Sequence, residues 1–108
     1  KYENLYKIEK RPSTGLLANM YQFPLYEGHL SKQEVMDMYH VDSKRIKELN
    51  DSTHKFTHKV WQMVGYEVEA NNLEENELFV DVQDISTNYS IPTAFKAYKN
   101  YIKGDYNE

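Results

Sequence analysis

At 108 residues, 40% of them hydrophobic and 14% aromatic, the chain is sized for one domain with a small two-layer core. It has no cysteine, which excludes disulfides, thiolate metal ligands and a cysteine nucleophile and suits a reducing cytoplasm. Lys and Arg number 13 against 17 Asp and Glu, a formal net charge of −4, whereas a chain that grips DNA unaided is usually basic, because phosphate neutralisation supplies most non-specific affinity.

In chain order, Tyr2 to Arg11 reads as a strand with Leu5 and Ile8 as its inward anchors. Arg11-Pro12-Ser13-Thr14-Gly15 is a turn, since Pro fixes φ and Gly permits positive φ. The apolar run Leu16 to Phe23, ended by Pro24, predicts a buried strand or extended segment. Ser31-Lys32-Gln33-Glu34 forms a capping box, followed at helical spacing by Val35, Met38 and Tyr39, so a helix is expected from Ser31 to about Val41. Arg45 to Leu49 reads as a short strand and Asn50-Asp51-Ser52 as a turn.

Lys55 to Val68 alternates: Phe56, Val60, Val64, Tyr66 and Val68 share one parity, Trp61 and Met63 the other. A long central strand is expected there. An acidic loop, Asn71 to Asn76, separates it from a further strand in which Leu78, Val80 and Val82 alternate with Asp81 and Gln83. Glu74 and Glu75 are read as a solvated turn. Pro92 suits the first turn of a final helix, with Phe95, Tyr98 and Ile102 in one stripe, Gly104 ending it, and Asp105 to Glu108 as a frayed tail. The order β-β-α-β-β-β-α predicts an α+β sandwich with a mixed or antiparallel sheet covered by helices.

The charge is unevenly spread. Tyr66 to Glu77 carries five glutamates and no base, while Lys44 to Lys59 carries five Lys or Arg, two His and two acids, leaving room for a local basic face. Ten tyrosines and one tryptophan imply a core with wet edges, because a buried phenol needs a polar partner. No window approaches the roughly 18 apolar residues of a membrane span, so no membrane partner is expected. The chain opens on Lys1 rather than Met, and a fragment of a longer protein is expected.

Three ordered segments carry a family resemblance. Gly15-Leu16-Leu17-Ala18-Asn19-Met20-Tyr21-Gln22-Phe23-Pro24 resembles the segment leading into the catalytic box of Nudix-fold proteins, in the version found in MutY-type adenine DNA glycosylases. His54-Lys55-Phe56-Thr57-His58 resembles that family's Phe-Ser-His loop, and Ile91-Pro92-Thr93-Ala94-Phe95-Lys96 resembles the Leu-Pro-Thr-Ala stretch that opens its last helix. The resemblance implies a Nudix-like α/β/α sandwich with a mixed, largely antiparallel sheet and two main helices, forming a single 8-oxoguanine-recognition domain over residues 1–108. It further implies a preceding helix-hairpin-helix glycosylase domain, with its own iron–sulfur cluster, that excises adenine opposite 8-oxoguanine. The implied partners are that domain and double-stranded DNA containing the 8-oxoguanine:adenine pair. The setting would be the bacterial cytoplasm, at the nucleoid.

A working Nudix box reads G-x5-E-x7-R-E-U-x-E-E-x-G-U, where U is a bulky aliphatic and the glutamates hold Mg²⁺ against a diphosphate. Gly28 and Glu34 match its opening, but the Arg-Glu pair falls on Asp42-Ser43, the later glutamates on Ile46-Lys47 and the final Gly on Leu49. The outline survives without the metal ligands, so no catalytic residue, metal site or cofactor is expected in this chain. By resemblance, Phe56, Thr57 and His58 are the lesion-recognition residues, and His54, Lys55 and Lys59 the candidates for DNA backbone contact. Trp61 and Met63 are assigned to the core. His54 and His58 have a spacing that on a strand puts them on one face, with no third metal ligand recognisable. The alternative functions are a stand-alone Nudix hydrolase of oxidised nucleotides and a protein-interaction module on a degenerate Nudix fold.

Overall fold

A computed structural model describes residues 1–73 and 76–104; Glu74-Glu75 of the acidic loop and the tail Asp105–Glu108 lie outside the described residues. The elements are β1 (Leu5–Lys10), β2 (Tyr21–Gln22), α1 (Lys32–Tyr39), β3 (Ile46–Lys55), β4 (Val60–Val68), β5 (Leu78–Asp81), α2 (Val82–Thr87), a 3-10 turn (Thr93–Phe95) and α3 (Lys96–Lys103). They build two antiparallel sheets, β2-β1-β5 and β3-β4, with three helices. This is the α+β fold that the chain order predicts, with α2 added.

β1 is the middle strand of its sheet. It pairs Leu5 to Ile8 with Asp81 back to Leu78, and Glu9-Lys10 with Gln22-Tyr21. Ile8 is 1% exposed and fulfils its expected role as anchor. The strand is shorter than the sequence implies because Glu3 takes φ 50° and the Tyr2–Leu5 backbone pair closes a turn before it.

The apolar run after Gly15 is not a strand along its length. Gly15, Leu17 and Asn19 all have positive φ, Asn19 N–H donates to Pro12 O at 3.0 Å, and Arg11 N–H donates to Met20 O at 2.8 Å. Residues 12–19 thus fold into a compact loop that spends its apolar character on packing: Leu17 joins the cluster around Met63 and Phe95. Only Tyr21–Gln22 is left to pair with β1.

α1 begins as its sequence dictates. Ser31 Oγ accepts from Glu34 N–H at 3.2 Å and Glu34 Oε1 accepts from Ser31 N–H at 3.0 Å, so two orphan donors of the first turn are satisfied reciprocally. The helix ends early, with His40 left-handed as its C-cap.

β3 and β4 form one long hairpin, where the sequence reading places a short strand, a turn and a central strand. Ile46 to Leu49 pairs with Val68 to Gly65, and Ser52 to Lys55 with Met63 to Val60. Between them Asn50 and Asp51 face the single Val64, which makes the expected polar turn a β-bulge. Pairing on both sides overrides the local turn chemistry. The strand assigned to Lys55–Val68 starts only at Val60, since Phe56 N–H donates to Lys59 O at 2.7 Å and closes the hairpin loop. It is also not central, because among the described residues β4 has only β3 beside it. Gly65 is required by close approach: a Cβ there would sit 2.9 Å from Tyr98 Cζ and collide with the rest of that ring.

β5 stops at Asp81, whose side chain caps α2 by accepting from Asp84 N–H at 2.8 Å. Val82, read as the end of a strand, is therefore the first residue of a helix. α3 follows the 3-10 turn and ends at left-handed Gly104, as expected. The core has two centres, Ile8–Val80–Ile85 and Met63–Ala94–Phe95, joined by Phe23 and Ile91, which pack against both.

Candidate functional site

The β3–β4 hairpin positions every candidate recognition residue. Thr57 and His58 occupy its tip and are exposed, as are Lys55 and Lys59 on either side. Phe56 turns the other way. It is half-buried, packs into the Met63–Phe95 cluster and meets the Trp61 ring edge-on at 4.9 Å between centroids. Trp61 in turn meets Phe95, 2% exposed, at 6.0 Å. The assignment of Met63 and Trp61 to the core holds: Met63 is buried and Trp61 half-buried beside it.

His54 lies in β3 opposite Trp61, with its ring 4.7 Å from that of Phe56. His58 is on the turn, so the two histidines do not share a strand face. Among the described residues no three His, Asp or Glu side chains are grouped to hold a metal ion. Neither Lys55 nor Lys59 is ion-paired among the described residues, unlike Lys1 with Glu67 and Lys7 with Glu77. Two ammonium groups therefore flank the tip without a partner among the described residues, the arrangement that a phosphate backbone can use.

The remnant of the box is dispersed. α1 ends at Tyr39, so Ser43 falls in a turn, Ile46 is buried at the start of β3, and Lys47 reaches over the Tyr101 ring at 5.2 Å. Glu34 is engaged by the cap, where the Ser31 backbone N–H and hydroxyl hold its carboxyl below the usual range. A cleft of about 180 Å³ beside these elements is lined by His29, Glu48, Asp51 and Tyr66, among others. The Tyr66 hydroxyl donates to Leu30 O at 3.0 Å, and burial together with the Glu48 and Asp51 carboxylates raises its pKa.

One contributor escaped the sequence reading. Arg11, read there as the end of a strand and the start of a turn, lays its guanidinium 5.3 Å from the Trp61 ring centroid. Its Nε donates to Leu16 O at 3.1 Å and its Nη1 to Gln22 Oε1 at 2.6 Å. Gln22, 7% exposed, donates from Nε2 to Glu9 Oε1 at 3.0 Å. Fifty positions separate Arg11 from Trp61, and no local pattern announces the pair.

Compared with models of known families, residues 1–101 match the NUDIX domain family.

Proposed function

The chain belongs to the NUDIX domain family, whose model spans 101 of its 108 residues, and on that premise we propose that it is a DNA-lesion reader that recognises 8-oxoguanine opposite adenine. The observation that carries this reading is the hairpin tip: an exposed hydroxyl, Thr57, between a core-anchored Phe56 and an exposed His58, flanked by Lys55 and Lys59. Oxidation gives guanine a carbonyl at C8 and turns N7 from an acceptor into an N–H donor. A reader of that edge must accept from N7–H and can also donate to the new oxygen. A hydroxyl does both, whereas Lys or Arg only donates and favours ordinary guanine. Thr carries a methyl that Ser lacks, which stiffens χ1 and narrows the directions in which the hydroxyl reaches.

The proposal includes a partner. Base excision would come from a helix-hairpin-helix glycosylase domain of the MutY type, acting on DNA at the nucleoid. The iron–sulfur cluster of such a domain does not fit this chain, which has no cysteine to ligate it. With a net charge of −4, the chain alone should bind duplex DNA weakly, and more weakly still at higher salt. Attachment beside a glycosylase domain raises its effective concentration to about the millimolar range, enough to make a weak reader useful.

The test is a titration of the chain, followed by amide NMR, with duplexes carrying adenine opposite either 8-oxoguanine or guanine. Changing Thr57→Val removes the hydroxyl and keeps the branched shape. Affinity for the lesion duplex should fall by an amount worth about 1–3 kcal/mol, with little change for the guanine duplex. An equal response to both, or to neither, would make Thr57 an ordinary turn residue. The same reading predicts no Mg²⁺-dependent release of pyrophosphate from 8-oxo-dGTP above a buffer control, because Ser43, Ile46 and Lys47 stand where the box needs carboxylates. Metal-dependent turnover would return the chain to the hydrolases.

A further inference from the structure

We propose that Arg11 is the positioning residue of the lesion-reading hairpin: by holding Trp61, and through it Phe56, it fixes where Thr57 and His58 stand. This rests on the reading of the tip as a lesion reader and says what sets its geometry.

The tip does not hold itself. Among the described residues, no side-chain hydrogen bond or ion pair involves Lys55, Thr57, His58 or Lys59, and the bond that closes the turn is Phe56 N–H to Lys59 O. Where Phe56 goes, the turn follows. Phe56 is located by ring edges, His54 on one side and Trp61 on the other. Trp61 is only half-buried, with Phe95 packed against it and the Arg11 guanidinium over its ring.

The guanidinium is itself fixed. Two of its nitrogens are tied, to Leu16 O and to Gln22 Oε1, and the acceptor at Gln22 is buried and held by Glu9. A planar fork can make two hydrogen bonds and still offer a face to an indole; the ammonium of Lys is a point charge and cannot reproduce that combination. The bond to Leu16 O also ties in the loop of residues 12–19, whose Leu17 packs in the same cluster as Phe56 and Trp61. Arg11 therefore joins the end of β1, that loop and the base of the hairpin at one point.

The experiment compares the 108-residue chain with its Arg11→Lys and Arg11→Met variants. Three readouts are followed: emission from Trp61, the only tryptophan; the amide resonances of Thr57 and His58; and the ratio of affinities for duplexes bearing 8-oxoguanine or guanine opposite adenine. Both variants are expected to move the Trp61 emission and shift the Thr57 and His58 amides, while Val80 and Ile85 stay in place. The lesion preference should drop about fivefold or more, in Arg11→Lys as well, because charge without the fork does not hold the indole. If Arg11→Met does not fold, Arg11→Lys, which keeps charge and stem, carries the same readouts. Unmoved Thr57 and His58 amides in a folded variant, or full rescue by Lys, overturn the proposal. Shifted amides in a chain that never preferred the lesion leave the positioning role standing and remove the lesion reading. A lesion preference that survives with unmoved amides does the reverse.

Discussion

Replacing Phe95 with alanine is expected to cost about 3–5 kcal/mol of folding stability, the range for emptying a buried aromatic site. Phe95 is 2% exposed and packs beside Met63 and Ala94, themselves buried. The cavity would open directly behind Trp61, whose ring now meets the Phe95 edge at 6.0 Å. A domain of this size has about 5–15 kcal/mol in total, so the loss takes about a fifth of it or more. Urea denaturation followed separately by Trp61 emission and by far-UV circular dichroism measures it. The two transitions should shift together to lower urea. The folded baseline of the emission should change as well, since the indole loses a neighbour even before unfolding. A loss below about 1 kcal/mol would show that the cluster closes over the gap and that the hairpin does not depend on Phe95 for its seat.

Where local chemistry and tertiary demand agreed, the sequence was legible. The capping box at Ser31–Glu34, the inward Ile8, the core side of Trp61 and Met63, and the Gly104 stop all depend on interactions within a few residues or on strict alternation. The failures share a different cause. Asn50-Asp51-Ser52 is turn chemistry by any local measure, yet strand pairing on both sides makes Asn50 and Asp51 a bulge within a single long strand. Leu16 to Phe23 has the composition of a buried strand, but positive φ at Leu17 and Asn19 folds it into a loop. Val82 continues a perfect alternation from Leu78 and Val80. The cap at Asp81 nonetheless starts a helix at that position.

The hairpin tip shows the same division. Phe56, Thr57 and His58 are marked by resemblance, with no physical signal to separate a turn from the middle of a strand. What the sequence could not contain is the support. Arg11, Gln22 and Glu9 meet behind Trp61 only because β1 and β2 are antiparallel neighbours and the loop between them folds back. At the positions of the box, Ser43, Ile46 and Lys47 all lie beyond the end of α1, which stops at Tyr39. Elsewhere in this molecule those positions have new uses, Ile46 as core and Lys47 over Tyr101.

Changing Ile85→Ala is expected to destabilise the fold by about 2–5 kcal/mol, although α2 is the one helix with no apolar period to announce it. Ile85 is the most buried side chain described, with 0% exposure, and fills the space between Ile8 of β1 and Val80 of β5. Only the short capped turn begun by Asp81 brings it there. Deleting three of its carbons removes both the transfer energy and the contacts of neighbours that have no solvent to turn to. Because Ile8 and Val80 sit on paired strands, the gap cannot close without moving the sheet, which places the cost away from the low end of the range. At roughly 4–8 °C per kcal/mol for a domain near this size, the melting temperature should fall by roughly 10 °C or more. Thr87→Ala on the exposed side of the same helix is the control, expected to stay within about 0.5 kcal/mol of the unaltered chain. Ile85 lies in the cluster away from the hairpin, so the Thr57 and His58 amides should keep their positions in the folded variant. A melting temperature no lower than that of Thr87→Ala would make α2 a peripheral turn and refute the two-centred core.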